Sequence, residues 1–168
     1  TTLRGSRLVV TMGGSDPARA TERVLAALAL EPARGLAADI VIGAANPRRD
    51  QLLAAVNAQG PRLRAFCAPA DLPVRFAAAS CCVTAGGSAL YELALLRTPM
   101  QVLAIAENQR RTCERFAAAG AAYYLGWHQD VSPAELARRI AAFAADHAAQ
   151  NGCAVRAAEL VDGRGASR

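Results

Sequence analysis

Short runs of apolar, largely β-branched residues alternate along the chain with longer stretches rich in Ala and Leu, in which apolar positions recur every three or four residues. The short runs have the length and composition of buried strands, and the long ones the period of amphipathic helices. Strands are expected over residues 8–12, 39–43, 62–67, 81–84, 100–105 and 122–125. Helices are expected over 18–30, 47–58, 72–79, 88–96, 109–119 and 133–147, with another from Ala154 onward. Strict strand–helix alternation is the mark of βαβ units around a parallel sheet. The expected fold is therefore α/β, a Rossmann-like, doubly wound parallel sheet of about six strands. No internal repeat and no low-complexity linker interrupts it.

The chain's 168 residues suit one domain, and 53% apolar with 20% charged residues is the balance of a globular protein rather than a disordered one. No apolar stretch is long enough to span a bilayer, and Thr1-Thr2-Leu3-Arg4-Gly5 has no apolar run of a secretion signal, so a soluble cytosolic protein without a membrane span is expected. The five cysteines match neither a disulfide framework nor a C-x-x-C metal spacing and read as reduced thiols packed in the core. With only His128 and His147 as histidines, no metal site and no cofactor are expected. The net charge of +5 comes from arginine alone, because the chain has no lysine. That excludes a Walker-type phosphate lysine, a Schiff base and a lysine base. The arginines are dispersed and aromatics are only 5%, so an acidic small ligand is a better match than nucleic acid.

In doubly wound sheets ligands sit beyond the carboxyl ends of the strands, where helix starts present unpaired amides. Three loops qualify. After the fourth strand comes Ala85-Gly86-Gly87-Ser88-Ala89-Leu90-Tyr91-Glu92. Its glycines let backbone approach a ligand, which makes it either a diphosphate cradle or a plain turn with a Ser88 cap. A capping-box acid would stand at position 91, where the chain has Tyr91, so Glu92 comes one residue late for that task. Four residues on from Ser88, it shares the cradle's face and reads as an acceptor for ribose hydroxyls or as a generic first-turn acid. After the first strand, Gly13-Gly14-Ser15-Asp16-Pro17 lacks the G-x-G-x-x-G spacing of a dinucleotide site. Asp16 reads as a helix cap and Pro17 as the first helical residue, while Gly14 and Ser15 can touch a sugar or phosphate. After the fifth strand, Ala106-Glu107-Asn108-Gln109 places Asn108 either as a cap or as a reader of sugar. His128 reads as a solvated loop residue.

Taken in order, Met12-Gly13-Gly14-Ser15-Asp16-Pro17, Ala85-Gly86-Gly87-Ser88-Ala89-Leu90-Tyr91-Glu92-Leu93-Ala94, Ala106-Glu107-Asn108-Gln109 and Val161-Asp162-Gly163-Arg164-Gly165 resemble the C-terminal domain of B-type glycosyltransferase-fold enzymes. The resemblance is nearest to the UDP-2,4-diacetamido-2,4,6-trideoxy-β-L-altropyranose hydrolase of pseudaminic acid biosynthesis and to the spore-coat polysaccharide proteins. It implies that the Gly87 and Ser88 amides hold the pyrophosphate of a UDP-sugar, that Glu92 holds the ribose, and that Gly86 and Leu90 belong to the same substrate-binding segment. It also implies that the backbone around Phe66 and Cys67 meets the uracil, and that Asn108 and Gln109 stand near the hydrolytic centre. Ala89 departs from the threonine common in the family, which removes one hydroxyl contact to phosphate. The family's catalytic histidine belongs to an N-terminal domain that this segment does not contain.

The resemblance thus implies the donor-binding half of a UDP-sugar hydrolase. A UDP-sugar-dependent glycosyltransferase uses such a domain in the same way, and a non-catalytic nucleotide-sugar-binding module is the third class. A histidine in the first glycine-rich loop of the other domain marks the hydrolase, and a basic amphipathic membrane patch marks lipid-linked transfer.

Overall fold

The computed structural model describes residues 5–161. Six strands, β1 (Leu8–Thr11), β2 (Ala38–Ile42), β3 (Leu63–Cys67), β4 (Cys82–Ala85), β5 (Met100–Ala104) and β6 (Tyr123–Trp127), form one sheet in the order β3-β2-β1-β4-β5-β6. Every pairing is parallel. β1, β2, β4 and β5 are buried along their whole length, which is why they read as unbroken apolar runs rather than alternating ones. The strand order reverses between β1 and β4, and the crevice at such a switch point is where α/β sheets take ligands.

Seven helices cover the sheet: α1 (Ala20–Leu28), α2 (Arg49–Ala58), α3 (Leu72–Ala78), α4 (Ala89–Leu95), α5 (Glu107–Ala118), α6 (Pro133–Ala145) and α7 (His147–Leu160). Right-handed crossovers put α1 and α2 on one face, where α6 joins α1, and put α3, α4 and α5 on the other, where α7 packs on α4. The core between these layers is built from residues such as Leu8, Val10, Ile40, Leu90, Leu103, Leu125 and Phe76. Among the described residues no helix is long and apolar enough to cross a membrane.

Several boundaries differ from the sequence expectation, each for a physical reason. α1 begins at Ala20 rather than residue 18, because the chain makes a turn through Pro17 and Ala18, with left-handed backbone at Asp16 (φ 44°) and Arg19 (φ 56°). Pro17 is therefore outside the helix. α5 begins two residues early, at Glu107, with Ala106 in extended backbone as its N-cap. β6 runs on to Trp127 because a register shift at Val102/Leu103 is absorbed by Gly126, whose φ is 113°. The helix expected over 133–147 ends at Ala145, and the next one, α7, starts at His147 rather than at Ala154, because the Asp146 carboxylate accepts the Ala149 amide and caps it. His147 is thus the first residue of α7 and not the last of α6. A single 3-10 turn at Ala33–Gly35 was not expected. The Val161-Asp162-Gly163-Arg164-Gly165 motif lies outside the described residues apart from Val161.

Candidate functional site: a cleft at the switch point

The β1 loop is built around Asp16, which is 1% exposed. Its two carboxylate oxygens accept the amides of Ala20 (2.8 Å) and Thr21 (2.9 Å), satisfying donors that the start of α1 would otherwise leave orphaned. Asp16 thus caps the amides of α1 from a distance, while Arg19, not Asp16, holds the N-cap position expected for Asp16. From behind, the Arg48 guanidinium donates to the Asp16 carbonyl at 2.6 Å and to Glu22 at 2.6 Å, tying the loop to α2. The loop folds over the end of β2, with Ala45 N–H donating to the Gly14 carbonyl at 3.1 Å. A Cβ on Gly43 would lie 2.2 Å from the Gly14 oxygen and 2.4 Å from that of Gly13, so only glycine allows this crossing.

The β4 loop leads into α4. Ser88 precedes the helix but makes no side-chain cap, which leaves its hydroxyl available. Among the described residues the amides of Gly87, Ser88 and Ala89 have no protein acceptor, since the first turn's bonds begin with Leu90 N–H to Gly87 O and Tyr91 N–H to Ser88 O. Gly86 has a different use from the one expected. It is buried, and a Cβ there would stand 2.4 Å from Cys113 Sγ and 2.9 Å from Gln109 Cβ, so it allows α5 to pack close. Gln109 strengthens that contact by accepting the Ile105 amide at 3.3 Å.

Between these loops lies a cleft of about 340 Å³. Thr11, Gly13 and Gly14 form one wall with Val41 and Gly43 of the β2 end; Ser88, Ala89 and Glu92 form the facing wall. Ala68, Pro69, Leu72 and Phe76 close the side. Of the residues singled out in the sequence, Gly14, Ser88 and Glu92 line this cleft, with Ser88 and Glu92 both on its α4 side. Glu92 is exposed and is the one charged group in the wall.

The other expected residues are not among those that line it. Ser15 is exposed beside Gly14 in the loop. Phe66 and Cys67 end β3 just before Ala68, and the Phe66 ring is covered by the Arg75 guanidinium at 3.6 Å. Leu90 is fully buried in the core, with its amide bonded to Gly87. Asn108 is exposed in the first turn of α5 and caps nothing, because Ala106 holds the cap position. Sequence reasoning missed Thr11, Val41, Gly43, Ala68, Pro69, Leu72 and Phe76. Only Gly43, a glycine at a strand's carboxyl end, carried a local signal.

His128 corrects the expectation of a solvated loop residue. It follows β6, is 8% exposed, packs on Trp127 and leaves its Nδ1 buried without a hydrogen-bond partner. Burial and the Arg23 charge hold its pKa below the ordinary histidine value, outweighing Asp16 and Asp130. It lies outside the cleft wall. No disulfide joins the five cysteines, and four are buried. Burial pushes the Cys81 thiol up to about 12 and Cys113 up to about 11, so neither supplies a thiolate near neutral pH.

No protein-family model matches the chain. Acinetobacter baumannii MurG superposes with a TM-score of 0.74 at 16% identity, covering 96% of this chain and 47% of that one. The glycosyltransferase WaaG superposes with a TM-score of 0.70 at 19% identity, covering 95% of this chain and 44% of that one. The chain is therefore a domain of the B-type glycosyltransferase fold, of the C-terminal type. Within that class it is related to the spore coat polysaccharide biosynthesis protein SpsG of Bacillus subtilis, to which it is 28% identical over 162 residues, 96% of this chain and 48% of that protein. The spinosyn rhamnosyltransferase SpnG, solved in complex with thymidine diphosphate, superposes with a TM-score of 0.68 at 25% identity, covering 95% of this chain and 42% of that one. The chain thus spans about half the length of the relatives it matches.

Proposed function

We propose that the chain is the nucleotide-sugar-binding half of an enzyme that cleaves a UDP-sugar, with the nucleotide held in the switch-point cleft. The observation that carries this reading is that one wall of the cleft sets the unpartnered amides of Ser88 and Ala89, with that of Gly87 just before them, beside the lone carboxylate of Glu92. The wall contains no arginine, so a diphosphate would be held by backbone donors, the Ser88 hydroxyl and the end of α4. A carboxylate repels phosphate and accepts from hydroxyls, which gives Glu92 the ribose. Asn108, exposed at the carboxyl side of β5, is the residue proposed to orient a sugar or a water. An amide cannot take the water's proton, and Asp16 is committed as a cap. The general base is therefore assigned to a partner domain that closes on the cleft. The related spore coat protein supports a role in surface polysaccharide synthesis, with hydrolysis of a UDP-linked 2,4-diacetamido-trideoxy sugar as the specific reaction. Transfer of the sugar to an acceptor is the second reading, favoured by the likeness to SpnG with its bound thymidine diphosphate.

The test is to follow UDP release from UDP-linked 2,4-diacetamido sugars by the chain alone and with an N-terminal domain added in trans. Release only with the added domain, and without an acceptor, is the expected result. Rapid release by the chain alone contradicts the assignment of the base, and release that needs an acceptor moves the assignment to transferase.

A further inference from the structure

A second cavity, of about 270 Å³, opens on the α3 face of the sheet and shares no wall residue with the nucleotide cleft. It lies beside the amino-terminal halves of β1, β2 and β3, and three arginines converge in it on Asp39, which is 6% exposed. Arg7 Nε donates to Asp39 Oδ1 at 2.7 Å. Arg64 makes a bidentate pair with the same carboxylate at 2.8 and 2.7 Å, and Arg75 Nη1 stands 3.6 Å from Oδ2. Two of the three guanidiniums are also held by their surroundings. Arg7 Nη2 donates to the carbonyls of Ala38 and Arg62, while Arg75 Nε donates to Asp71 and its plane covers Phe66.

One bidentate arginine is enough to pair a carboxylate, so three exceed what Asp39 needs. Among the described residues, Arg7 Nη1, Arg64 Nη1 and Arg75 Nη2 have no protein acceptor. The three arginines face two carboxylates, Asp39 in the wall and Asp71 paired with Arg75 at 2.8 Å, which leaves the cluster net positive. That excess attracts an anion, and fixed guanidinium forks are matched to phosphate oxygens. Val9 and the outward-facing Val74 supply apolar surface beside the charges, which suits the short carbon body of an ester.

We propose that this cavity is a second binding site, taking a phosphate dianion either free or as the head of a small phosphomonoester. The site is pre-organised, because the arginines are already fixed by Asp39, backbone carbonyls and Phe66, so little side-chain entropy remains to be lost on binding. Calorimetric titration of the full chain with inorganic phosphate and with glycerol phosphate tests it, at constant ionic strength and with UDP present to occupy the nucleotide cleft. Saturable binding is expected, with the tighter probe telling free phosphate from ester. Arg64→Gln removes one donor, and Val74→Glu places a negative charge at the exposed rim without touching the Asp39 network. Each is expected to weaken phosphate binding roughly tenfold or more while leaving the UDP affinity of the chain unchanged. Absence of saturable binding by either probe, or binding that survives either substitution, overturns the proposal.

Discussion

Glu92 faces a cleft in which nothing else is charged, and among the described residues it has no ion-pair partner. If it accepts ribose hydroxyls, Glu92→Ala weakens UDP binding by ~1.5–3 kcal/mol, the range for hydrogen bonds to a charged group, and leaves the unfolding transition in place. Unchanged affinity would reduce Glu92 to an acid that complements the dipole of α4. His128 gives a prediction of a different kind. Its folded pKa lies below the ordinary value, so the unfolded chain binds its proton first. Stability from this residue is present above the ordinary histidine pKa and is lost as pH falls from about 7 toward 5. Denaturant unfolding across that range should show a slope with pH that flattens in His128→Gln; equal slopes in the two proteins would refute the buried, neutral imidazole. The capping role of Asp16 and the late position of Glu92 were legible in the sequence because both depend on local spacing. The burial of His128 was not, because Arg23 of α1 and the residues around β6 meet it only through the tertiary fold.

At the scale of elements, the closest approach in the site is the β1 loop over the end of β2. Gly43→Ala would drive a Cβ into two backbone oxygens, which cannot move aside like the tip of a side chain. Overpacking of this kind costs about 1–3 kcal/mol, and here the strain falls on Gly13 and Gly14, so UDP affinity should drop along with the melting temperature. A fully stable Gly43→Ala protein that binds UDP normally would mean that the loop does not lie where the structure has it. The four central strands, β1, β2, β4 and β5, were legible because parallel strands buried on both faces are short, continuous apolar runs. Helix starts were harder to place. Asp16 caps α1 from four residues before Ala20, and Glu107 and Asn108 belong to a helix whose cap is an alanine without any capping side chain. The start of α7 at His147, rather than at the Ala154 expected from the sequence, hides in an alanine-rich stretch where Asp146 supplies the cap.

For the molecule as a whole, the doubly wound parallel sheet could be anticipated from strand–helix alternation, but neither its strand order nor the full cleft could be read. Its walls come from β1, β2, α3 and α4 and from loops far apart in the chain, and residues such as Val41, Pro69 and Phe76 look like ordinary core or turn positions until the sheet brings them together. The account therefore rests on whether that cleft holds a uridine nucleotide. Calorimetric titration of the chain with UDP, set against ADP and NAD under identical conditions, measures this most directly. The account predicts saturable binding of UDP that is tighter than that of either competitor. Equal affinity for all three nucleotides, or no binding of UDP at millimolar concentration, would contradict it.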